Sequence, residues 1–223
     1  MKLSKYDKLK IGLILLVFVA GVAVSYQMLK PPRRLPIYNP SDLDRRLVED
    51  SLQRKGKDHT ISDFELYNQY GDTITRSTVQ GKIIMADFFF TVCPDICKDM
   101  AVQKRRIQAA LKADSQFVML SHSVTPKYDS VPVLRKYGEV HGALRGKWHL
   151  LTGPKKEIYR LARQSYFAVL DEGGKGDEAD FIHTENFVLV DTKGRLRGFY
   201  DGTSPEDVDR FLEDYAVLRT EGR

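Results

Sequence analysis

The chain has 223 residues, of which 42% are hydrophobic and 29% charged, a composition that is typical of a globular protein and excludes wholesale disorder. The formal net charge of +5 suggests a nucleic-acid-binding protein at first sight, but residues 1–34 carry seven of the 35 basic side chains and only one acid. Residues 35–223 hold 28 basic and 29 acidic side chains. This part is nearly neutral, so charge gives no reason to expect nucleic-acid binding there.

The N-terminal segment predicts a membrane anchor. Ile11–Leu29 has no charge over nineteen residues, and as a helix it would span about 28 Å, close to the hydrocarbon thickness of a bilayer. Four lysines precede it, which favours a cytoplasmic N-terminus, although three basic residues follow it. A signal peptide cleaved near Ala23-Val24-Ser25 is the alternative. In both cases we expect the later residues on the periplasmic side of a bacterial inner membrane, since no Arg- and Ser-rich transit segment precedes the anchor.

Three parts are predicted along the chain: a membrane anchor over 1–30, a proline-rich stalk or linker over 31–59, and one compact domain over 60–218. Within that domain, apolar runs and alternation predict strands, and apolar residues at helical spacing predict helices. We expect strands near 61–66, 73–78, 82–90, 117–123, 148–151, 186–191 and 195–200, and helices over 94–113, 131–140, 155–164 and 205–218. This order predicts an α/β, thioredoxin-like fold with an added N-terminal hairpin and helices on both faces of a sheet.

The two cysteines of the chain, Cys93 and Cys97, follow the apolar run KIIMADFFF of the predicted central strand. Ligand and redox sites of open α/β sheets gather at the carboxyl ends of strands. A helix that begins near Pro94 brings the two sulfurs together at its first turn, where backbone N–H groups and the helix dipole stabilise thiolates. The spacing alone leaves a disulfide, a redox couple and a metal site open.

The donor set narrows the choice of metal. Thiolates select copper(I), zinc or an iron–sulfur cluster, but a cluster usually needs four cysteines and structural zinc four ligands. Two cysteines and one histidine suit copper(I) or an open site. His183, between the acidic, Gly-rich segment 171–180 and a predicted strand, is the candidate. Of the other histidines, we expect His122 and His149 in the core or at its edge and the remaining two, His59 and His141, in solvent.

The chain resembles the Sco/SenC family of copper-binding, thioredoxin-fold assembly factors for cytochrome c oxidase. The resemblance covers roughly residues 60–215 together with the N-terminal anchor. Its motifs are Phe90-Thr91-x-Cys93-Pro94-Asp95-Ile96-Cys97, Gly81-Lys82, Ser123-Val124-Thr125-Pro126, Val133-Leu134-x-x-Tyr137, Asp180-Phe181-Ile182-His183 and Asp191-x-x-Gly194.

The resemblance implies that Cys93, Cys97 and His183 bind copper(I) or copper(II). It implies a membrane-anchored copper chaperone that delivers copper to the binuclear copper site of cytochrome c oxidase, or keeps the cysteines of that site reduced. The implied partners are the copper-site subunit of the oxidase and a thioredoxin-like reductant or another copper carrier. Two positions depart from the family pattern: Lys98 stands where a proline is frequent, and Thr125-Pro126 where Asp-Pro is common. Neither is an implied ligand.

An extracytoplasmic thiol–disulfide oxidoreductase is the alternative function. Asp87 lies inside the apolar run, six residues before Cys93, where thioredoxins carry a buried aspartate that assists proton transfer. Against this alternative stand the C-x-x-x-C spacing, which differs from C-x-x-C, and the histidine at 183 in the region where thioredoxins keep a proline. A structural disulfide in an inert binding module is a third possibility, and it leaves His183 unexplained.

Overall fold

The computed structural model describes residues 5–29, 33–48, 52, 58–93, 96–169 and 184–221. Two compact units divide the chain, one over Met1–Arg34 and one over Leu35–Arg223. In the first unit, helix α1 covers Lys5–Leu29. Within the described ranges, no helix combines the length and the apolar character that crossing a membrane requires, so the transmembrane helix expected over 11–29 has no support from the structure.

The second unit is built on a five-stranded sheet in the order β5-β4-β3-β6-β7. The strands are β3 (Ile83–Phe89), β4 (Phe117–Ser123), β5 (Trp148–Leu151), β6 (Asn186–Val190) and β7 (Leu196–Asp201). β3, β4 and β5 run parallel, while β6 is antiparallel to both β3 and β7. Every residue of β3 and of β4 is buried, as the continuous apolar runs of a strand covered on both faces predict.

Helices cover both faces of this sheet, which confirms the predicted α/β class. α2 (Ile96–Leu111), α3 (Val131–His141) and α5 (Pro205–Glu221) pack on one face, where Met85 and Phe89 of β3 point. We refer to this face as the α2 face. The opposite face is covered by α4 (Lys155–Arg160) and by an antiparallel hairpin of β1 (Glu65–Tyr67) and β2 (Thr73–Thr75). That hairpin is the predicted N-terminal addition.

Several boundaries differ from the prediction. β1 spans three residues, because most of segment 61–66 lies outside a strand while still burying Ile61 and Phe64. The predicted helix over 155–164 is α-helical only to Arg160 and continues as a π-helix over Leu161–Ser165. The described part of the predicted stalk is ordered by packing, since Leu35 and Val48 are buried in the core clusters.

Candidate metal centre

Cys93 and Cys97 lie at the junction of β3 and α2, as the sequence predicts. Cys97 is the second residue of α2, and Cys93 lies in the loop before it, where its backbone N–H donates to the carbonyl of Phe90 at 3.3 Å. Both cysteines are free thiols in the structure. They are buried, 7% and 5% exposed, and belong to the apolar cluster of the α2 face. Two reduced sulfurs therefore sit together in a nearly dry environment.

Burial dominates the acidity of Cys97. Loss of solvent raises the pKa of its thiol well above the usual range, and the hydrogen bond with Cys93 raises it further. A hydrogen bond with the backbone of Phe90 and the positive charge of Lys104 act in the opposite direction but are smaller. The expectation that the start of the helix makes these thiols acidic is therefore wrong for Cys97, because desolvation outweighs the stabilisation of the thiolate there.

Such a thiol stays protonated near neutral pH until something replaces its proton. A metal ion that binds thiolates does so, since the ligand must lose its proton on binding. In a buried site the metal charge also compensates the negative charge that burial disfavours. The pair is chemically suited to a soft cation.

Asp87 and Lys104 form an ion pair inside the α2 face. Lys104 Nζ lies 2.7 Å from Asp87 Oδ2, and both side chains are fully buried. The hydroxyl of Ser121 donates to Asp87 Oδ1 at 2.5 Å and accepts from Trp148 Nε1 at 2.8 Å. The ammonium also lies over the ring of Phe89, 4.9 Å from its centroid. Asp87, the charged residue inside the apolar central strand, therefore has a hydrogen-bond partner at each of its two carboxylate oxygens.

Asp129 holds the loop that carries Cys93. Its carboxylate accepts hydrogen bonds from the backbone N–H and the hydroxyl of Thr91, and from the hydroxyls of Ser123 and Thr125. Asp129 itself is fully buried. The segment after β4 is therefore tied to the residue two positions before the first cysteine.

The third predicted ligand, His183, lies outside the described residues, as do Asp95 and the acidic segment 171–180. Among the residues that the structure does describe, no group of three or more Cys, His, Asp and Glu side chains could hold a metal ion. The structure thus brings together two of the three predicted ligands.

Three of the other four histidines have the following structural surroundings. His122 is fully buried and stacks on Phe88, with ring centroids 4.9 Å apart. His149 lies beside Asn68. His59 is half-buried, contacts the carbonyl of Ser165 at 2.8 Å and packs on a phenylalanine ring. The expectation that His59 is solvated is therefore wrong, since the π-helical segment shields it.

Sequence reasoning missed Lys104 and Asp129. The signal for Lys104 was present, because it occupies a core-facing position of α2 among residues at helical spacing: Cys97, Met100, Ile107 and Leu111. A lysine in such a stripe needs a buried partner, and Asp87 was the unpaired buried charge. Asp129 had no comparable signal, since an aspartate in a loop is ordinary.

Comparison with known proteins assigns most of the chain to one family. The family model SCO1/SenC matches residues 52–216. The SCO1 protein homolog of Bacillus subtilis is 29% identical over 164 residues, which cover 73% of this chain and 84% of that protein.

Two solved structures share the fold. BsSco, described as a member of the Sco family of cytochrome c oxidase assembly proteins with a disulfide switch, matches with a TM-score of 0.60 and 26% identity, over 77% of this chain and 96% of that one. ScoI of Arabidopsis thaliana, solved with copper bound, matches with a TM-score of 0.54 over 74% and 99% of the two chains. At 24% identity, this second similarity shows only that the two proteins share a fold. These matches fit the predicted thioredoxin-like fold, and the family model covers most of the compact unit. The chain belongs to the SCO1/SenC family.

Proposed function

We propose that the domain is a copper chaperone that binds copper(I) through Cys93 and Cys97, with His183 as the third ligand. The observation that carries the proposal is the pair of reduced, buried cysteines at the end of the central strand. Membership of the SCO1/SenC family supports copper as the metal.

Donor chemistry favours copper(I) over the other soft cations. Two thiolates and an imidazole make a three-coordinate set, which is too small for structural zinc and lacks the four thiolates of an iron–sulfur cluster. The apolar surroundings of the two sulfurs keep water away, which protects both the reduced metal and the thiols. His183 supplies a neutral donor, so a bound copper(I) with two thiolates carries a single net negative charge.

The direct test is a copper(I) titration of the full-length chain. The protein is reduced, kept free of oxygen and titrated against a chromophoric copper(I) chelator. Cys93→Ser and Cys97→Ser should each lose at least about a hundredfold in affinity, and His183→Ala about tenfold. His149→Gln, a histidine on β5, is the matched control and should bind like the wild type. Wild-type affinity in His183→Ala would exclude the three-ligand site.

Delivery to cytochrome c oxidase is the biological part of the proposal. It is supported by the description of BsSco, a similar protein, as a member of a family of cytochrome c oxidase assembly proteins. The partner would be the oxidase subunit that carries the binuclear copper site, with a thioredoxin-like reductant or another copper carrier upstream. In cells that lack this protein, the oxidase should assemble without copper in that site, and Cys93→Ser should fail to restore it. Full restoration by Cys93→Ser would contradict the proposal.

The proposed location is the periplasmic side of a bacterial inner membrane. The support is the uncharged sequence of 11–29 after four lysines and the exposed apolar side chains of α1, such as Leu16 and Phe18. Since no described helix qualifies as a membrane span, anchoring needs its own test. Protease added to spheroplasts should digest the domain, and alkaline washing should leave the full-length chain with the membranes. Release into the soluble fraction would indicate a cleaved signal peptide instead.

A thiol–disulfide oxidoreductase is the second candidate, favoured by the disulfide switch described for BsSco. In that reaction Cys93 and Cys97 would become a disulfide and pass two electrons and two protons to the disulfide of a partner. Asp87 would serve as the proton relay. The ion pair weakens this candidate, because Lys104 and Ser121 already engage both carboxylate oxygens. Rapid reduction of varied disulfides that Asp87→Asn abolishes would favour the enzyme.

A further inference from the structure

The buried pair of Asp87 and Lys104 needs an explanation other than stability. Both side chains are 0% exposed, and taking two charges out of water has a large free-energy cost, which their mutual attraction offsets only in part. Well-packed apolar side chains of the same size would hold the helix against the sheet at least as well. Neither residue is needed for the proposed ligand set of the metal.

Geometry connects the pair to the cysteines. Lys104 follows Cys97 by seven residues on α2, which is two turns, so the two side chains share one face of the helix. Side chains of a helix tilt toward its N-terminus, so the lysine reaches back toward the cysteine end. On β3 the side chain of Asp87 points to the same face of the sheet as Met85 and Phe89, by strand alternation.

Three side chains hold the ammonium of Lys104 in place. It bonds to Asp87 Oδ2 at 2.7 Å and lies 4.9 Å from the ring centroid of Phe89 and 5.2 Å from that of Trp148. The carboxylate is fixed in turn by Ser121. Because Lys104 and Cys97 lie on the same face of α2 and both are buried, the charge of Lys104 acts on the dithiol from a fixed position in a dry interior, where screening is weak.

We infer that Lys104, fixed by Asp87, is a positioning residue that stabilises the negatively charged copper(I) dithiolate. The inference rests on the proposed function. It predicts that the two partners of one ion pair act on copper binding with opposite signs. The ammonium attracts the anionic complex and the carboxylate repels it, although both contribute to the same fold.

The test compares copper(I) affinities of the full-length chain at one pH and ionic strength. Lys104→Met, which leaves the carboxylate alone, should bind copper(I) about tenfold more weakly. Asp87→Asn, which leaves the ammonium alone, should bind it about threefold more tightly. Both variants should melt at a lower temperature than the wild type, because each strands a buried charge. Arg105→Met, which removes an exposed cation from the next position of α2, is the matched control and should change the affinity less than about twofold.

A double variant keeps the test decisive if the single variants fold poorly. Asp87→Leu with Lys104→Met replaces the pair by apolar side chains of similar size, and it should melt at the wild-type temperature or above. Its copper(I) affinity should fall about threefold, because the removed ammonium reaches back along α2 toward Cys97 and attracts the anionic complex. Wild-type affinity in this variant would overturn the inference, as would equal losses in the two single variants. A wild-type chain that binds no copper(I) contradicts the proposed function itself, and the inference then falls with it.

Discussion

The carboxylate of Asp129 accepts a hydrogen bond from the hydroxyl of Thr91 at 2.5 Å. The backbone N–H of Thr91 also donates to the same carboxylate at 3.2 Å, and the hydroxyl of Ser123 donates to it at 2.6 Å. Because Asp129 is fully buried, these bonds replace the water that the charge has lost. The loop that carries Cys93 is therefore held by a buried aspartate that is distant in sequence.

Removing this anchor should loosen the cysteine loop and destabilise the domain. We expect Asp129→Ala to lower the free energy of unfolding by about 2–4 kcal/mol, since four hydrogen-bond donors lose their acceptor, the buried hydroxyl of Ser123 among them. Copper(I) affinity should fall about tenfold, because the two sulfurs are no longer held in register. Urea unfolding followed by the fluorescence of Trp148, the one tryptophan of the chain, measures the first effect. The exposed Asp63 provides the control, and Asp63→Ala should leave both quantities within error.

A double-mutant cycle isolates the link between the two residues. Thr91→Val removes the hydroxyl and keeps the shape of the side chain. Combined with Asp129→Ala, it should cost less than the sum of the single changes by about 1–2 kcal/mol. Strict additivity of the two changes would mean that Asp129 stabilises the fold without acting through Thr91.

Arg197 joins three separate parts of the domain. Its guanidinium is 3% exposed and pairs with Asp191 at 3.0 Å and with Glu221 at 2.6 Å. It also donates to the backbone carbonyls of Leu35 and Pro36, each at 2.8 Å. The first residues of the compact unit, the β6–β7 turn and the end of α5 meet at this one side chain.

Replacing Arg197 should be costly, whereas replacing its neighbour should not. Arg197→Leu should lower the free energy of unfolding by about 3–5 kcal/mol, because the buried carboxylate of Asp191, the partly exposed carboxylate of Glu221 and two backbone carbonyls lose their donor. Arg195 pairs with the same Asp191 at 2.7 Å but is 29% exposed, so Arg195→Leu should cost about 1 kcal/mol or less. Chemical denaturation of both variants gives the comparison. Equal losses in the free energy of unfolding would show that burial does not determine how much these ion pairs stabilise the domain.

The sequence was sufficient to predict the sheet because its strands are long apolar runs. β3 and β4 are covered on both faces, and such runs are visible without any knowledge of tertiary contacts. The short strand β1 was placed too early, because the apolar residues Ile61 and Phe64 are buried without belonging to a strand. A periodic pattern of apolar residues indicates which side chains are buried. It identifies a strand only where a neighbouring strand can form hydrogen bonds with the segment.

The position of the two cysteines was predictable from the sequence, and their electrostatic surroundings were not. Cys93 and Cys97 follow from their place after the apolar run, and motif resemblance added His183, which remains a prediction. The acidity of Cys97 was misjudged from the sequence, because the helix start and burial act in opposite directions and only packing decides between them. The partner of Asp87 required knowledge of the face of α2 that meets the sheet, which brings Lys104 within 2.7 Å of it.

His122 makes the stability of the domain depend on pH. Its ring is fully buried, and burial lowers its pKa to about 4. Nδ1 lies 3.1 Å from the carbonyl oxygen of Asp87, which can only accept, so Nδ1 carries the proton; Nε2 has no hydrogen-bond partner among the described residues. The aromatic rings of Phe88 and Tyr166 pack against it. The neutral imidazole therefore fits this site and the charged form does not.

The sign of the pH effect follows from these pKa values. In the unfolded chain His122 titrates near 6.5, and in the fold near 4, so between these values the unfolded state binds a proton that the fold rejects. Stability is therefore complete above pH 6.5 and is lost as the pH falls toward 4. Between pH 7 and pH 5 the loss should be about 2 kcal/mol. Urea unfolding at the two pH values should show that His122→Phe, which cannot take up the proton, loses about 2 kcal/mol less than the wild type. Identical losses in both proteins would mean that carboxylates alone set the acid sensitivity and that His122 can be protonated in place.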